Sequence, residues 1–293
     1  MQTEYDVIQR FIFDKTAVRG EIVRLKASYQ TIIAQQPYPQ PVAIWLGEAL
    51  AGATLLSATI KFEGQLILQV QTQGPLKVLV AHSTHDHHIR GLAKWKQAQE
   101  LPSSFAQAAS SGNLAITLQP KQGQPYQGVV GLAGTNLATA IENYFHQSEQ
   151  LATFLLLAAD GDTAAGLLLQ NMPTPTDTSY DYFWEHVLQL VQTLSAQELL
   201  TLPNQMILHR LYHQEDVVLF EADPVSFRCT CSQAKSEQIL RTMTYDEAKE
   251  ILTEYPNIVV TCEFCNHPYR FDAVDVARVF TQGAHPQNLS QPQ

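Results

Sequence analysis

The sequence is short of cysteine and of charge, and it lacks the common catalytic motifs. Only 4 of its 293 residues are cysteines, and charged residues make up 16% of the chain. We find no GxxxxGK[ST] phosphate loop, no GxSxG elbow and no GxGxxG turn after a strand. These motifs carry nucleotide binding and acyl transfer in many enzymes. Their absence argues against ATP use, and it favours a binding protein over an enzyme.

The charge balance is acidic. Lys and Arg total 18 against 28 Asp and Glu, which gives a formal net charge of −10. Nucleic-acid binding depends on clustered cations, so we expect no nucleic-acid partner and no binding to anionic membranes. The first residues, "MQTEYDVIQRFIFDK", do not resemble a signal peptide, and we expect no apolar run of membrane-spanning length. The sequence therefore predicts a cytoplasmic protein.

Residues 1–175 predict an N-terminal α+β domain, a mixed α/β unit with antiparallel hairpins. "YDVIQRFIFD" alternates apolar and polar residues as a strand does, and "GEIVRLKASYQTIIAQ" places Ile22, Leu25 and Tyr29 at helical spacing. "VAIWLGEALAGATLLSATI" is apolar nearly all round, which indicates a buried helix. Glu63 and Gly64 indicate the turn of a hairpin.

The polar, proline-containing stretch "NMPTPTDTS", residues 171–179, marks a boundary. Residues 176–224 then predict a helical linker region, in which Ser195 and Glu198 form a capping box. One of its helices carries an apolar stripe that needs a partner surface, and we expect the N-terminal sheet to supply it. The stripe consists of Phe183, Val187, Leu190, Val191 and Leu194.

Residues 225–293 predict a small C-terminal domain with a disordered tail. Thr244 and Glu247 indicate a capping box at the start of a helix, and Asp272 caps another. So few residues can form a core that a domain of this size usually needs a covalent or metal cross-link, called a staple below.

The four cysteines supply a candidate staple. Cys229 and Cys231 stand in "FRCTCSQ", Cys262 and Cys265 stand in "TCEFCNH", and 30 residues separate the two pairs. In a reducing compartment such pairs indicate metal ligands or redox thiols, and four thiolates suit one Zn²⁺ ion per chain. Three alternatives stay open from spacing alone: a purely structural zinc site, an iron–sulfur cluster, or four buried thiols in no site.

A histidine-rich stretch, "HSTHDHHIRG", suggests a second metal site. It contains His82, His85, His87 and His88 but lies between two predicted strands and lacks the HExxH pattern. A polar turn with solvated histidines is the better interpretation. We hold a hydrolase built on these histidines as the weakest of the functional hypotheses.

Several segments resemble one known family. "FRCTCS", the helix "YDEAKEIL" and "IVVTCEFCNHPYRFDAVDV" resemble the C-terminal zinc unit of the bacterial thirty-three-kilodalton heat-shock protein, a redox-regulated holdase chaperone. "RFIFDKTAVRGEIV" and "GPLKVLVAHSTHDHHIRGLAKW" resemble its N-terminal domain. The resemblance covers nearly the whole chain.

This resemblance implies a mechanism. The reduced protein would hold zinc through Cys229, Cys231, Cys262 and Cys265 and be inactive. Oxidation would form the disulfides Cys229–Cys231 and Cys262–Cys265, release zinc and unfold the linker region. The resulting ATP-independent holdase, a homodimer when oxidised, would bind unfolding client proteins under oxidative stress. The candidate client-binding surface is the apolar stripe that this unfolding would expose, namely Phe183, Val187, Leu190, Val191 and Leu194. The alternative is a constitutive zinc-ribbon protein that binds nucleic acid or a protein partner.

Overall fold

The structure, a computed structural model, describes residues 5–61, 63–97, 100–132, 136–173 and 179–282. The chain divides into two compact units, Met1–Arg228 and Cys229–Gln293. Both contain helices and antiparallel strands, which confirms the predicted α+β class. The division into 1–175, 176–224 and 225–293 stays a prediction. Residues 174–178 of the expected boundary and 283–293 of the expected disordered tail lie outside the described residues.

The first unit is built on two sheets. Its strands are β1 Val7–Phe13, β2 Val18–Leu25, β3 Gly64–Gln71, β4 Leu76–Thr84, β5 His88–Trp95, β6 Gly112–Pro120, β7 Tyr126–Leu132, β8 Thr153–Ala159, β9 Ala164–Asn171, β10 Val217–Pro224 and β11 Ser226–Phe227. One sheet has the order β10-β1-β2-β9-β8 and the other β11-β5-β4-β3-β6-β7. Neighbouring strands are antiparallel except β11, which pairs with β5 in parallel.

Helices fill and cover these sheets. They are α1 Ala27–Ile33, α2 Gln40–Ala58, α3 Phe105–Ala108, α4 Leu137–Tyr144, α5 Ser179–Val191, α6 Ala196–Thr201 and α7 Asn204–Tyr212, with a π-helical turn at Phe145–Glu149. Helix α2 packs against strands of both sheets, and its side chains form the centre of the main core. Because both sides of the helix meet a sheet, its sequence is apolar nearly all round, as predicted.

Helix α2 also corrects one expectation. Its 19 residues are long and apolar enough to cross a membrane by length and composition, although no such run was expected. In the structure, 78% of its 18-residue window is buried inside the protein, as in the core helix of a globular domain. The prediction failed because a helix between two sheets and a membrane helix both have apolar surroundings on every side.

Two local predictions in the N-terminal region are wrong. Ile22 and Leu25 lie in strand β2, and the helix begins only at Ala27. Seven of the eight β2 residues are buried, so the apolar spacing no longer distinguishes a strand from a helix. The expected hairpin about Glu63 and Gly64 is also absent: β3 begins at Gly64 and pairs with β4 and β6, whereas residues 60 and 61 belong to no strand.

Helices α5 to α7 cover the outer face of the five-stranded sheet. Their apolar side chains form a second core with Phe11, Phe13, Val18 and Ile22 of β1 and β2. Ser195 and Glu198 form the predicted capping box at the start of α6. The helices of the predicted linker region are therefore docked in this state, with the N-terminal sheet as their partner surface.

The second unit is small. It contains helices α8 Gln233–Leu240, α9 Tyr245–Glu254 and α10 Ala273–Gln282 and the hairpin of β12 Ile258–Thr261 and β13 Pro268–Phe271. The capping box of Thr244 and Glu247 and the cap by Asp272 are present as predicted. The sequence did not predict α8. Among residues 229–282, which the structure describes, the buried core consists of six side chains, Leu240, Ala248, Ile258, Phe271, Val276 and Val279.

Candidate metal centre

The first cysteine pair lies in the segment that leads into helix α8. Ser232, directly after Cys231, caps this helix by accepting a hydrogen bond from the amide of Lys235. The Lys235 ammonium group returns to donate a hydrogen bond to the carbonyl of Thr230, between the two cysteines, at 2.6 Å. The helix start thus fixes the backbone of the pair. A one-residue spacing fits an extended segment that ends at a cap.

The second pair occupies the turn between β12 and β13. Cys262 follows the last residue of β12, and its amide donates to the carbonyl of His267 at 3.0 Å. Asn266 closes the turn by donating its amide to the carbonyl of Cys262 at 2.8 Å, and it has a positive φ of 53°. Asn tolerates this left-handed conformation better than most residues. The turn holds both thiols near the end of the hairpin.

The four sulfur atoms converge. Cys229 Sγ lies 3.6 Å from Cys262 Sγ, and Cys231 Sγ lies 3.5 Å from Cys265 Sγ. All four sulfurs lie within 4.8 Å of one another, and none is joined in a disulfide. Tetrahedral zinc with Zn–S bonds of about 2.3 Å separates its sulfurs by about 3.8 Å. The donor set and its spacing therefore fit a tetrahedral ion that prefers thiolates.

Tyr269 of β13 adds a hydrogen bond to this cluster. Its hydroxyl group donates to Cys231 Sγ at 3.1 Å, and its ring packs edge-on against that of His267, with centroids 4.7 Å apart. Tyr269 was not among the site residues predicted from the sequence. Its signal was an aromatic side chain with a polar tip shortly after the CxxC turn. Donors of this kind orient metal ligands and stabilise their charged form.

The thiols differ in their protonation. Burial raises the pKa of Cys229 and of Cys265. Burial acts in the same direction on Cys231, but hydrogen bonds from Tyr269 and from the other cysteines outweigh it and lower its pKa to about 7. A metal ion bound by all four thiolates must therefore displace protons, so its affinity falls as the pH falls.

The histidine-rich stretch forms no second centre. Within the described ranges, the four cysteines are the one group of three or more candidate metal ligands that lie close together. The predicted polar turn exists between β4 and β5. His82, however, is buried in β4 and accepts a hydrogen bond from Arg90 at 3.2 Å. Burial lowers its pKa to about 3, so the expectation of a solvated histidine is wrong at this position.

The candidate client-binding stripe is covered in this state. Val187 and Val191 are fully buried, Leu194 is 9% exposed, and Phe183 and Leu190 are partly buried in the second core. The Phe183 ring lies edge-on to Phe13 of β1, with centroids 5.2 Å apart. Other apolar residues of the linker helices share this core and were missed, namely Trp184, Leu188, Leu199, Leu200, Ile207, Leu208, Leu211 and Tyr212.

Comparison with known proteins points to one family. A family model described as Hsp33 protein matches residues 6–272. The chain is 44% identical over 285 residues to the 33 kDa chaperonin of Pseudomonas syringae pv. tomato, covering 96% of this chain and 95% of that protein. It is 47% identical over 278 residues to the 33 kDa chaperonin of Nitrosococcus oceani, covering 94% and 95%.

A solved structure agrees on the fold. The crystal structure of the 33 kDa chaperonin from Thermotoga maritima superposes with a TM-score of 0.82 at 21% identity, and the match covers 95% of this chain and 99% of that one. At this identity the likeness concerns the fold alone.

Proposed function

Because this chain belongs to the Hsp33 family and is a chaperone, we propose that it is an ATP-independent holdase that oxidation activates. The convergence of four thiols in a unit with six buried core side chains carries this proposal. The same atoms are both the candidate staple of the small unit and its oxidisable groups. A constitutive zinc-ribbon protein would need these sulfur atoms only as the staple of the small unit, not as oxidisable groups.

In the reduced state, Cys229, Cys231, Cys262 and Cys265 bind one Zn²⁺ ion. Structural zinc contributes about 10–16 kcal/mol in small zinc-dependent units, which is more than a core of this size supplies alone. The two pairs lie on the two sides of helices α8 and α9 in sequence. Holding them together therefore closes the chain around most of the second unit.

Oxidation removes the ligands. In each pair, two thiolates give up two electrons as their sulfurs join; when hydrogen peroxide is the oxidant, it takes up these electrons together with two protons from the solvent and is reduced to two waters. We propose the pairings Cys229–Cys231 and Cys262–Cys265. Two sulfur distances between the pairs are 3.6 and 3.5 Å, and all four sulfurs lie within 4.8 Å of one another. Local pairing orders the least chain once the unit loosens.

Loss of the staple exposes client-binding surface. Helices α5 to α7 are short, and their stability depends on the apolar contacts that they make with the five-stranded sheet in the second core. We propose that unfolding of the second unit makes this region undock, so that Phe183, Val187, Leu190, Val191 and Leu194 become accessible. An exposed patch of this kind binds the apolar segments that unfolding proteins present.

Its partners and place in the cell follow from the same reasoning. We propose unfolding client proteins as partners, with no nucleic-acid or membrane partner and no catalytic activity. The formal charge of −10 supports the exclusion of polyanionic partners. We further propose that the oxidised form is a homodimer and that the protein works in the cytoplasm, where reduced thiols keep it inactive until oxidative stress.

The test combines metal release with chaperone activity. Reduced, zinc-loaded protein is treated with hydrogen peroxide while a chelating dye reports zinc and light scattering reports aggregation of a heat-unfolded protein. We expect one zinc per chain to be released and aggregation to be suppressed only after release. A Cys262→Ser variant controls for oxidation elsewhere. If the protein suppresses aggregation equally before and after oxidation, it is instead a constitutive chaperone.

A further inference from the structure

The second unit carries a groove that the proposed switch does not use. It has a volume of about 580 Å³ and lies between the loop after α8 and one side of helix α9. Its apolar lining comes from Met243, Ile251 and Tyr255, and Tyr255 is 60% exposed. Contiguous apolar side chains that are partly exposed commonly mark binding sites.

The charged lining of the groove is entirely acidic. Glu247, Glu250 and Glu254 follow one another along α9 at spacings of three and four residues, so they lie on one helix face about 10 Å long. The Glu247 carboxylate accepts hydrogen bonds from Thr244, which leaves the other two as the more available charges. No Lys or Arg lines the groove among the described residues.

The nearest lysine of the same helix points elsewhere. The Lys249 ammonium group lies 5.5 Å from the centre of the Tyr245 ring, and neither residue lines the groove. The groove side of helix α9 thus carries three glutamates and no lysine. The result is an apolar floor beside a row of carboxylates, a surface complementary to a basic amphipathic helix.

We propose that this groove docks a basic amphipathic helix of a partner protein while the second unit is folded. Apolar side chains of the partner would fill the space beside Met243, Ile251 and Tyr255, and its lysines or arginines would face Glu250 and Glu254. The methionine suits such a site because its flexible side chain adapts to different partners. Oxidation would remove the groove, so this partner binds the inactive form.

This inference rests on the proposed function for its consequence, though not for the binding itself. A partner that binds only the folded unit lowers the unfolded fraction by a factor of one plus the ratio of the free partner concentration to its Kd, which is about a hundredfold when the free partner is at about 100 times its Kd. The unfolding of the second unit that activation requires would become rarer by the same factor. The groove would therefore raise the amount of oxidant needed for activation.

The test uses a synthetic leucine–lysine helix of about 14 residues, with its lysines spaced to match α9, and the reduced, zinc-loaded full chain. Fluorescence anisotropy measures Kd at about 50 mM and about 300 mM salt. We expect the Glu250→Gln/Glu254→Gln variant to bind about tenfold more weakly and to lose most of the salt dependence. Asp246→Asn is the matched control: it lies on the same helix outside the groove and should bind as the unmodified protein does.

Several outcomes would overturn the inference. They are equal weakening by Asp246→Asn, equal binding of a peptide with glutamate in place of lysine, and tighter binding to the oxidised chain, which would make the peptide an ordinary client. Concentration-dependent self-association of the reduced chain that Glu250→Gln/Glu254→Gln abolishes would make a second copy the occupant instead. Zinc release by peroxide without peptide is measured in parallel, so failure of the redox switch is recognised separately.

Discussion

Shortening two buried valines of helix α5 should make the linker region open more easily. Val187 and Val191 are fully buried against the five-stranded sheet, and each loses two carbon atoms on substitution by alanine. At about 0.8 kcal/mol per buried methylene, the double variant loses about 3 kcal/mol of docking free energy, before any cavity cost is added. That loss corresponds to an increase of roughly a hundredfold in the population of undocked helices.

The assay is amide hydrogen exchange over residues 182–212 of the reduced, zinc-loaded protein, together with the peroxide concentration for half-maximal chaperone activity. We expect Val187→Ala/Val191→Ala to exchange about a hundredfold faster in these helices and to need less oxidant. A Val129→Ala/Val218→Ala variant is the matched control, since these valines are 56% and 43% exposed. Its exchange should stay unchanged.

Two results would refute the reasoning. Unchanged exchange in the helices, despite a lower melting temperature of the first unit, would mean that they open only with the whole unit. Faster exchange with an unchanged oxidant requirement would mean that helix docking does not restrain activity. In that case the client-binding surface lies elsewhere in the N-terminal region.

Three further predictions concern the centre and the core. Metal analysis of the reduced protein should find one zinc per chain, and the Cys262→Ser variant should lose it. Peptide mapping after oxidation should find disulfides within each cysteine pair. Zinc retained by the variant, or disulfides mostly between the pairs, would contradict these assignments. Tyr269→Phe removes the hydrogen bond to Cys231 and should speed zinc release to a chelator. The control variant Tyr255→Phe, which leaves this hydrogen bond in place, should release zinc at the rate of the unmodified protein. Equal release rates for the two variants would mean that the Tyr269 hydroxyl group does not stabilise the thiolate. Burial raises the pKa of Glu21 from 4.5 to about 8, so the folded protein favours the protonated form of this side chain. Because the unfolded chain gives up this proton near pH 4.5, the first unit loses stability as the pH rises from 4.5 towards 8. Glu21→Gln should flatten this dependence in urea unfolding, and parallel curves for both proteins would rule out Glu21 as its cause.

Local interactions explain which elements could be predicted. The capping boxes at Ser195 and Thr244 use residues three apart in the chain, and both are present. The helix beginning at residue 40 was predicted because its apolar character extends over 19 residues. Strand β2 was assigned to a helix because burial on both faces removes the alternation that identifies a strand.

The sequence by itself determined the cysteine pairs and the need for a staple, because pair spacing and domain size are properties of the chain. Only the tertiary structure brought Tyr269 to Cys231, placed Phe183 against Phe13 and buried His82. The contact of Tyr269 with Cys231 joins residues that are 38 positions apart in the chain, and the contact of Phe183 with Phe13 joins residues that are 170 positions apart. The burial of His82 depends on elements packed over β4. No local periodicity records such contacts, since packing between distant segments depends on how the whole chain folds.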